Sequence, residues 1–325
     1  MKERAPTLRA FAVAALVPLL EKLSSQLEDL RTEEDIECLH KARVSTRRLR
    51  ASLSLFAPCF PSGEAKRWKK AVTRITALLG EARDLDVQME SVEEELRATG
   101  DRERPGLARL LLRLSRRREK LQRRICAALD GRDIREPLDE MLDGLREAVR
   151  KDILERDDSP SFALCADEIR AHVADVLSFD GFVRNPASIK ELHDLRKAVK
   201  RLRYALEIFE PLSAGLLRPF VERLKALQDL LGEIHDCDVW LDFLPRFLEE
   251  EAARTLKYYG HVRVFPPLKT GILAFMEKKR TLRGEDFGRF LDEWGRLGKE
   301  AFWDNLNTAA ETLRAYRGEE GADHS

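Results

Sequence analysis

Long β-branched runs are missing from this sequence and aromatics make up only 7% of it, which argues against a sheet-rich core. Its five cysteines are odd in number and show neither CxxC nor CxxxC spacing, so a disulfide framework or a zinc knuckle is not expected, nor any other metal or cofactor. The apolar stretch from Phe11 to Leu20 is short for a bilayer, contains Pro18 and lacks a small-residue cleavage site. No signal peptide, membrane span or membrane partner is therefore expected, and the chain reads as cytoplasmic. A P-loop, a Gly-x-Ser-x-Gly elbow and a His-Glu-x-x-His pair are also missing, which leaves an enzymatic reading without a catalytic centre.

What is present is charge, 36% of residues, balanced to a formal net charge of zero. The balance hides segregation. Residues 40–50 carry five Lys/Arg and no acid, residues 102–124 carry ten against two acids, and residues 133–158 carry ten acids against five bases. Together with the abundance of Leu, Ala, Arg and Glu, this composition predicts an all-α fold.

The chain also repeats itself. His40 to Pro58 aligns without gaps on His193 to Pro211, a shift of 153 residues, and after a one-residue deletion Leu78 to Val87 aligns on Leu230 to Val239. The expected architecture is two pseudo-symmetric antiparallel helical bundles packed as one unit over residues 1–318. Its halves are about 1–156 and 157–318, and a flexible tail follows at 319–325. Breakers are expected at Ala57 to Gly63, Thr99 to Gly106, Asp157 to Pro160, Asp180 to Ser188, Pro211 to Gly215 and Tyr259 to Thr270. Thr32 with Asp35, and Ser188 with Glu191, have the spacing of capping boxes before the two His/Arg helices.

At helical periodicity His40, Arg43, Arg47 and Arg50 form one stripe, opposite Ala42, Leu49, Leu53 and Phe56. In the repeat, His193, Arg196, Lys200 and Arg203 form the same stripe, with Lys197 and Tyr204 beside it, opposite Leu195, Leu202, Leu206 and Phe209. A solvated helix face would mix signs, because Glu and Arg at i,i+4 support each other whereas cations alone repel. A further stripe is read at Arg109, Arg113, Arg116, Lys120 and Arg124, with Arg117 adjacent, and a weaker one at Lys278, Lys279 and Arg283. Several such stripes imply an anionic ligand. Guanidinium forks suit phosphate oxygens, and the scarcity of aromatics for base stacking favours a linear polyanion without bases, so nucleic acid is the less expected partner. His40 and His193 are read as donors to phosphate. The Asp84/Asp86 and Asp236/Asp238 pairs are read as holders of neighbouring Arg and Lys side chains, with Gly80 and Gly232 permitting close helix packing. His172, His261 and His324 carry no pattern. A His phosphotransfer module, or a basic scaffold for RNA, stays open as an alternative.

The two His-x-x-Arg-x-x-x-[Arg/Lys]-Arg-Leu-Arg helices and the two Leu-Gly-Glu-x-x-Asp-x-Asp-Val segments resemble the CHAD family, the conserved histidine α-helical domains, over nearly the whole chain. The resemblance implies two pseudo-symmetric bundles with a basic groove or pore that holds inorganic polyphosphate, often in association with polyphosphate granules. By position it carries over His40, Arg43, Arg47, Arg50, His193, Arg196, Lys200 and Arg203. Arg83 fits the family's Leu-Gly-x-x-Arg-Asp pattern, but its counterpart is His235. Arg113, Arg116 and Arg117 are added from periodicity. CHAD domains are often fused to a CYTH triphosphatase domain with a Glu-x-Glu-x-Lys strand; the nearest match here, Glu93, Glu95 and Arg97, falls on a helical stretch.

Overall fold

The computed structural model describes residues 7–32, 36–154 and 163–314, and among these it contains helices and turns but no strand. Ten α-helices follow one another: α1 Leu8–Thr32, α2 Ile36–Leu55, α3 Ser62–Ala98, α4 Arg104–Asp130, α5 Arg132–Leu154, α6 Ala163–Leu177, α7 Ile189–Phe209, α8 Arg218–Tyr259, α9 Pro266–Lys299 and α10 Phe302–Arg314. A 3-10 turn follows α2 at Ala57–Cys59 and another follows α7 at Glu210–Leu212, so the order helix, helix, 3-10 turn, helix recurs along the chain.

The apolar faces read from periodicity are the buried ones. Ala42, Leu49 and Leu53 on α2, with Phe56 just beyond its end, are within 1% of full burial, as are Leu195, Leu202, Leu206 and Phe209 on α7. Helix α1 matches the opening helix expected over about residues 7–30. By length and composition Leu8–Arg31 could cross a membrane, yet Leu8, Ala12, Leu16, Leu20, Leu23 and Leu30 are buried where it packs on α2, α4 and α5.

Helices α1 to α5 pack among themselves, as do α6 to α10, and two seams join the sets: α2 against α7 and α4 against α9. In the first seam Phe56 and Phe209 meet edge to face with ring centroids 6.0 Å apart, a favourable quadrupole geometry. In the second, Gly106 and Gly271 let two backbones touch. A Cβ on Gly106 would lie 2.2 Å from the Leu268 carbonyl oxygen, and one on Gly271 would lie 1.9 Å from that of Glu103. This corrects the expectation for Gly80 and Gly232. A Cβ at Gly80 meets nothing within 4 Å, and one at Gly232 meets only the Arg196 guanidinium at 3.8 Å, so neither glycine permits a helix crossing.

The breakers also need adjustment. The Pro266–Pro267 pair lies inside the first turn of α9, where missing amide protons cost nothing, and the true break is residues 260–265. Ser188 occupies the N-cap of α7 but makes no capping hydrogen bond, so the second capping box does not form. The first depends on side chains outside the described residues, as do the Asp157 to Pro160 breaker and the tail.

Gly271→Ala is expected to lower unfolding free energy by about 1–3 kcal/mol in urea titration, through overpacking against rigid backbone. Gly80→Ala, in open space within α3, is expected to be neutral or to stabilise by up to ~1 kcal/mol. Equal effects at the two positions would contradict the seam.

Candidate anion-binding site

The α2/α7 seam brings the two basic stripes face to face. Arg47 of α2 donates to the hydroxyl of Tyr204 on α7, and the Tyr204 ring is flanked by the guanidinium carbons of Arg203, 4.6 Å from its centroid, and Arg47, at 5.5 Å. Beside this contact lies a cavity of about 380 Å³ whose lining includes six cationic side chains, Arg47, Arg50, Lys69, Lys197, Lys200 and Arg201, against the single carboxylate of Glu168.

Lys200 shows what this concentration of charge costs. Burial, and then the fields of Arg47, Arg196, Arg50 and Arg43, push its ammonium down to about 7. Arg43 is also lowered, first by burial; Asp84 acts against this, while Arg47, Arg83 and Arg196 act with it. These mutual fields place Arg43, Arg47, Arg50, Arg83, Arg196 and Lys200 in one cluster drawn from α2, α3 and α7. Among the described residues, only Arg43 of the six has a carboxylate within ion-pair distance, Asp84 at 2.9 Å. The Nε atoms of Arg47 and Arg196 are buried with no hydrogen-bond acceptor. Buried donors are seldom left so, and these two belong to the least neutralised charges in the fold.

The other expected positions divide. His193 shares a hydrogen bond with His235, Nδ1 to Nδ1 at 3.0 Å, with ring centroids 4.3 Å apart. His235, taken from sequence as a departure from the Arg83 pattern, is thus a partner of the repeated histidine. Burial, then Arg196, His193 and Lys197, depress His235 to about 4, and burial followed by Lys197 and Arg196 lowers His193, so the pair is neutral at pH 7. Lys197 is exposed and paired with Asp194 at 2.9 Å. His40 is half-buried and makes no side-chain hydrogen bond among the described residues. Arg203 pairs with Glu207 and donates to Gln228, so its charge serves the fold.

The α4 stripe is paired only in part: among the described residues Arg116, Lys120 and Arg124 have no ion pair, whereas Arg109 and Arg113 do. Arg113 makes a bidentate pair with Glu251 of α8, at 2.6 and 3.2 Å, and the Glu251 carboxylate is also approached by Arg109 and Arg254. Arg117 pairs with Glu81 at 2.9 Å and Arg118 with buried Asp86 at 2.7 Å. Arg116 is exposed with no ion pair among the described residues. The α9 cations are engaged too: Lys278 with Glu95, Lys279 with Ser91 at 2.9 Å, and Arg283 with Asp238. Asp84, Asp86 and Asp238 therefore hold basic side chains of α2, α4 and α9, whereas Asp236 has no ion pair among the described residues. Sequence reasoning missed Lys69, His172 and Arg201. Arg201 sits one position beyond Lys200 and pairs with Asp175 at 2.6 Å.

A sequence profile of the CHAD domain matches residues 14–245. The chain belongs to the CHAD family. Its fold is similar to that of the crystal structure of the CHAD domain from the plant Ricinus communis, with a TM-score of 0.60 and 21% identity over 97% of this chain and 96% of that one. It is similar also to PptA from Streptomyces chartreusis, with a TM-score of 0.61 and 15% identity over 90% of this chain and 100% of that one. No curated protein matches the sequence.

Since Lys200 titrates near 7 when folded and near 10.5 when unfolded, the unfolded state binds the extra proton in between. Stability contributed by this group therefore rises with pH across that window. Carbon-detected NMR of the lysine Cε resonances is expected to show one lysine titrating near 7, absent in Lys200→Met; ordinary titration of all lysines would contradict the cluster.

Proposed function

We propose that this CHAD protein is a non-enzymatic binder of inorganic polyphosphate, held at the α2/α7 seam by Arg43, Arg47, Arg50, Arg83, Arg196 and Lys200. The observation that carries the reading is that the seam's cations are half-buried together with little counter-charge, whereas the α4 cations without an ion pair among the described residues, Arg116, Lys120 and Arg124, stand exposed in solvent. A run of phosphates would supply acceptors to the idle Nε donors of Arg47 and Arg196 and hold Lys200 in its charged form.

The chemistry of the site favours a polyanion without bases. Tyr204 is its one aromatic, and the ring is buried with two guanidinium groups beside it, so it offers little surface for a base to stack on. A phosphotransfer role is less favoured, since His193 Nδ1 is occupied by His235 and burial, followed by basic neighbours, disfavours protonation of both rings. Because the seam takes side chains from both repeats, the halves at about 1–156 and 157–318 act as one unit. A cytoplasmic location, with association to polyphosphate granules, follows from this reading.

Binding of labelled long-chain polyphosphate across a salt series tests the proposal, with orthophosphate and single-stranded RNA as competitors. Tight binding that weakens steeply with salt and resists both competitors is expected, through counterion release. Arg47→Gln and Lys200→Met are each expected to weaken it by about tenfold or more, the value of one charge-assisted hydrogen bond. Arg113→Gln is expected instead to lower stability by about 1–3 kcal/mol, by exposing the charge of buried Glu251, and to leave affinity unchanged. Affinity should also decline as pH rises above 7, since binding must then recruit a proton to Lys200. Binding that Arg113→Gln weakens as much as Arg47→Gln would move the site to α4.

A further inference from the structure

The hairpin end between α8 and α9 is unlike the rest of the surface. Every residue from 256 to 264 is exposed. Large apolar side chains stand in solvent there: Tyr258 is 82% exposed, Leu256 and Tyr259 each 52%, Val262 48% and Val264 46%. Tyr258 and Tyr259 meet edge to face at 4.8 Å, the Tyr259 ring stacks on His261 at 6.3 Å, and the His261 Nδ1 accepts the Arg263 amide proton at 3.3 Å. Gly260, at φ +71°, closes α8 with its amide bonded to the Leu256 carbonyl. The end is therefore built, with its rings outward.

Its charge is one-sided. Residues 252–276 carry Arg254, Lys257, Arg263 and Lys269 and no acid, in a chain otherwise balanced in sign. Arg254 is taken by Glu250 and Glu251, while Lys257, Arg263 and Lys269 are exposed and have no ion pair among the described residues.

From these observations we infer that the α8/α9 hairpin end docks the protein peripherally on an anionic lipid surface, with Tyr258, Tyr259, Val262 and Val264 entering the headgroup layer and Lys257, Arg263 and Lys269 meeting lipid phosphates. Exposed tyrosines and aliphatics on a convex tip match an interface that is apolar below and wet above, and the cations match its charge. A second copy of the chain is disfavoured as occupant, because it would set the same unpaired cations against one another. Free polyphosphate would use the cations but leave the apolar side chains in water. None of these residues lines the α2/α7 cavity, and the inference does not depend on the reading of that site. It departs from the expectation of no membrane partner, because the sequence alone does not tell that these residues face outward.

The test is co-sedimentation of the full chain with vesicles of phosphatidylcholine alone and with phosphatidylglycerol added, repeated with the Arg47→Gln, Lys200→Met double variant so that lipid phosphates held at the seam would be recognised. Co-sedimentation with the anionic vesicles only is expected. Tyr258→Ser with Tyr259→Ser, and separately Lys257→Gln with Arg263→Gln, should each reduce partitioning by about tenfold at unchanged helicity. A Val262→Trp reporter should show blue-shifted emission on the anionic vesicles. No sedimentation, sedimentation equal on neutral vesicles, or sedimentation that the hairpin variants leave unchanged would overturn the inference and leave the end to a protein partner.

Discussion

Packing α2 against α7 forces like charges together, and the arrangement of the molecule follows from how that repulsion is handled. The seam is anchored by apolar side chains, Phe56 against Phe209, and by the Tyr204 hydroxyl that accepts from Arg47. The cations beside it are held half-buried. A fold selected for stability alone would place carboxylates there, as it does for Arg118 with Asp86 and Arg113 with Glu251. Instead burial and the neighbouring guanidinium groups push the Lys200 ammonium down to about 7. A cluster that strains its own protonation is what a site for an anion requires, because a cation already paired offers little to a ligand.

The second seam supports the first without sharing its chemistry. Where α4 crosses α9 the contact is backbone on glycine, and Arg113, Arg118, Arg117 and Lys278 are held by Glu251, Asp86, Glu81 and Glu95. This explains how a chain of zero net charge can present a strongly cationic site. Its acids pair with many of the cations on the other helices, and only Glu168 lines the α2/α7 cavity.

Much of this was legible in the sequence. Periodicity identified the buried and basic faces of α2 and α7, and the repeat predicted two helices of the same design. Which stripe stays free was not legible, because neutralisation is a tertiary matter: Glu251 lies 138 residues from Arg113, and nothing local to α4 announces it. The glycines failed for the same reason. Gly80 and Gly232 recur in the repeat, whereas Gly106 and Gly271, which do touch backbone, belong to no repeated motif and become visible only when α4 and α9 cross. His235 looked like a broken motif and is a partner of His193, since a contact between α7 and α8 cannot be read from either helix alone.

The central claim is that the seam holds cations for a ligand at the expense of the fold, and it is tested most directly by the thermal unfolding of Lys200→Met with and without long-chain polyphosphate at pH 7. The account predicts that the variant alone melts higher than the natural chain, since a buried, repelled ammonium is gone, and that polyphosphate raises its melting temperature much less. A variant that melts lower, yet gains as much from polyphosphate as the natural chain, would show that Lys200 serves the core and that the ligand sits elsewhere.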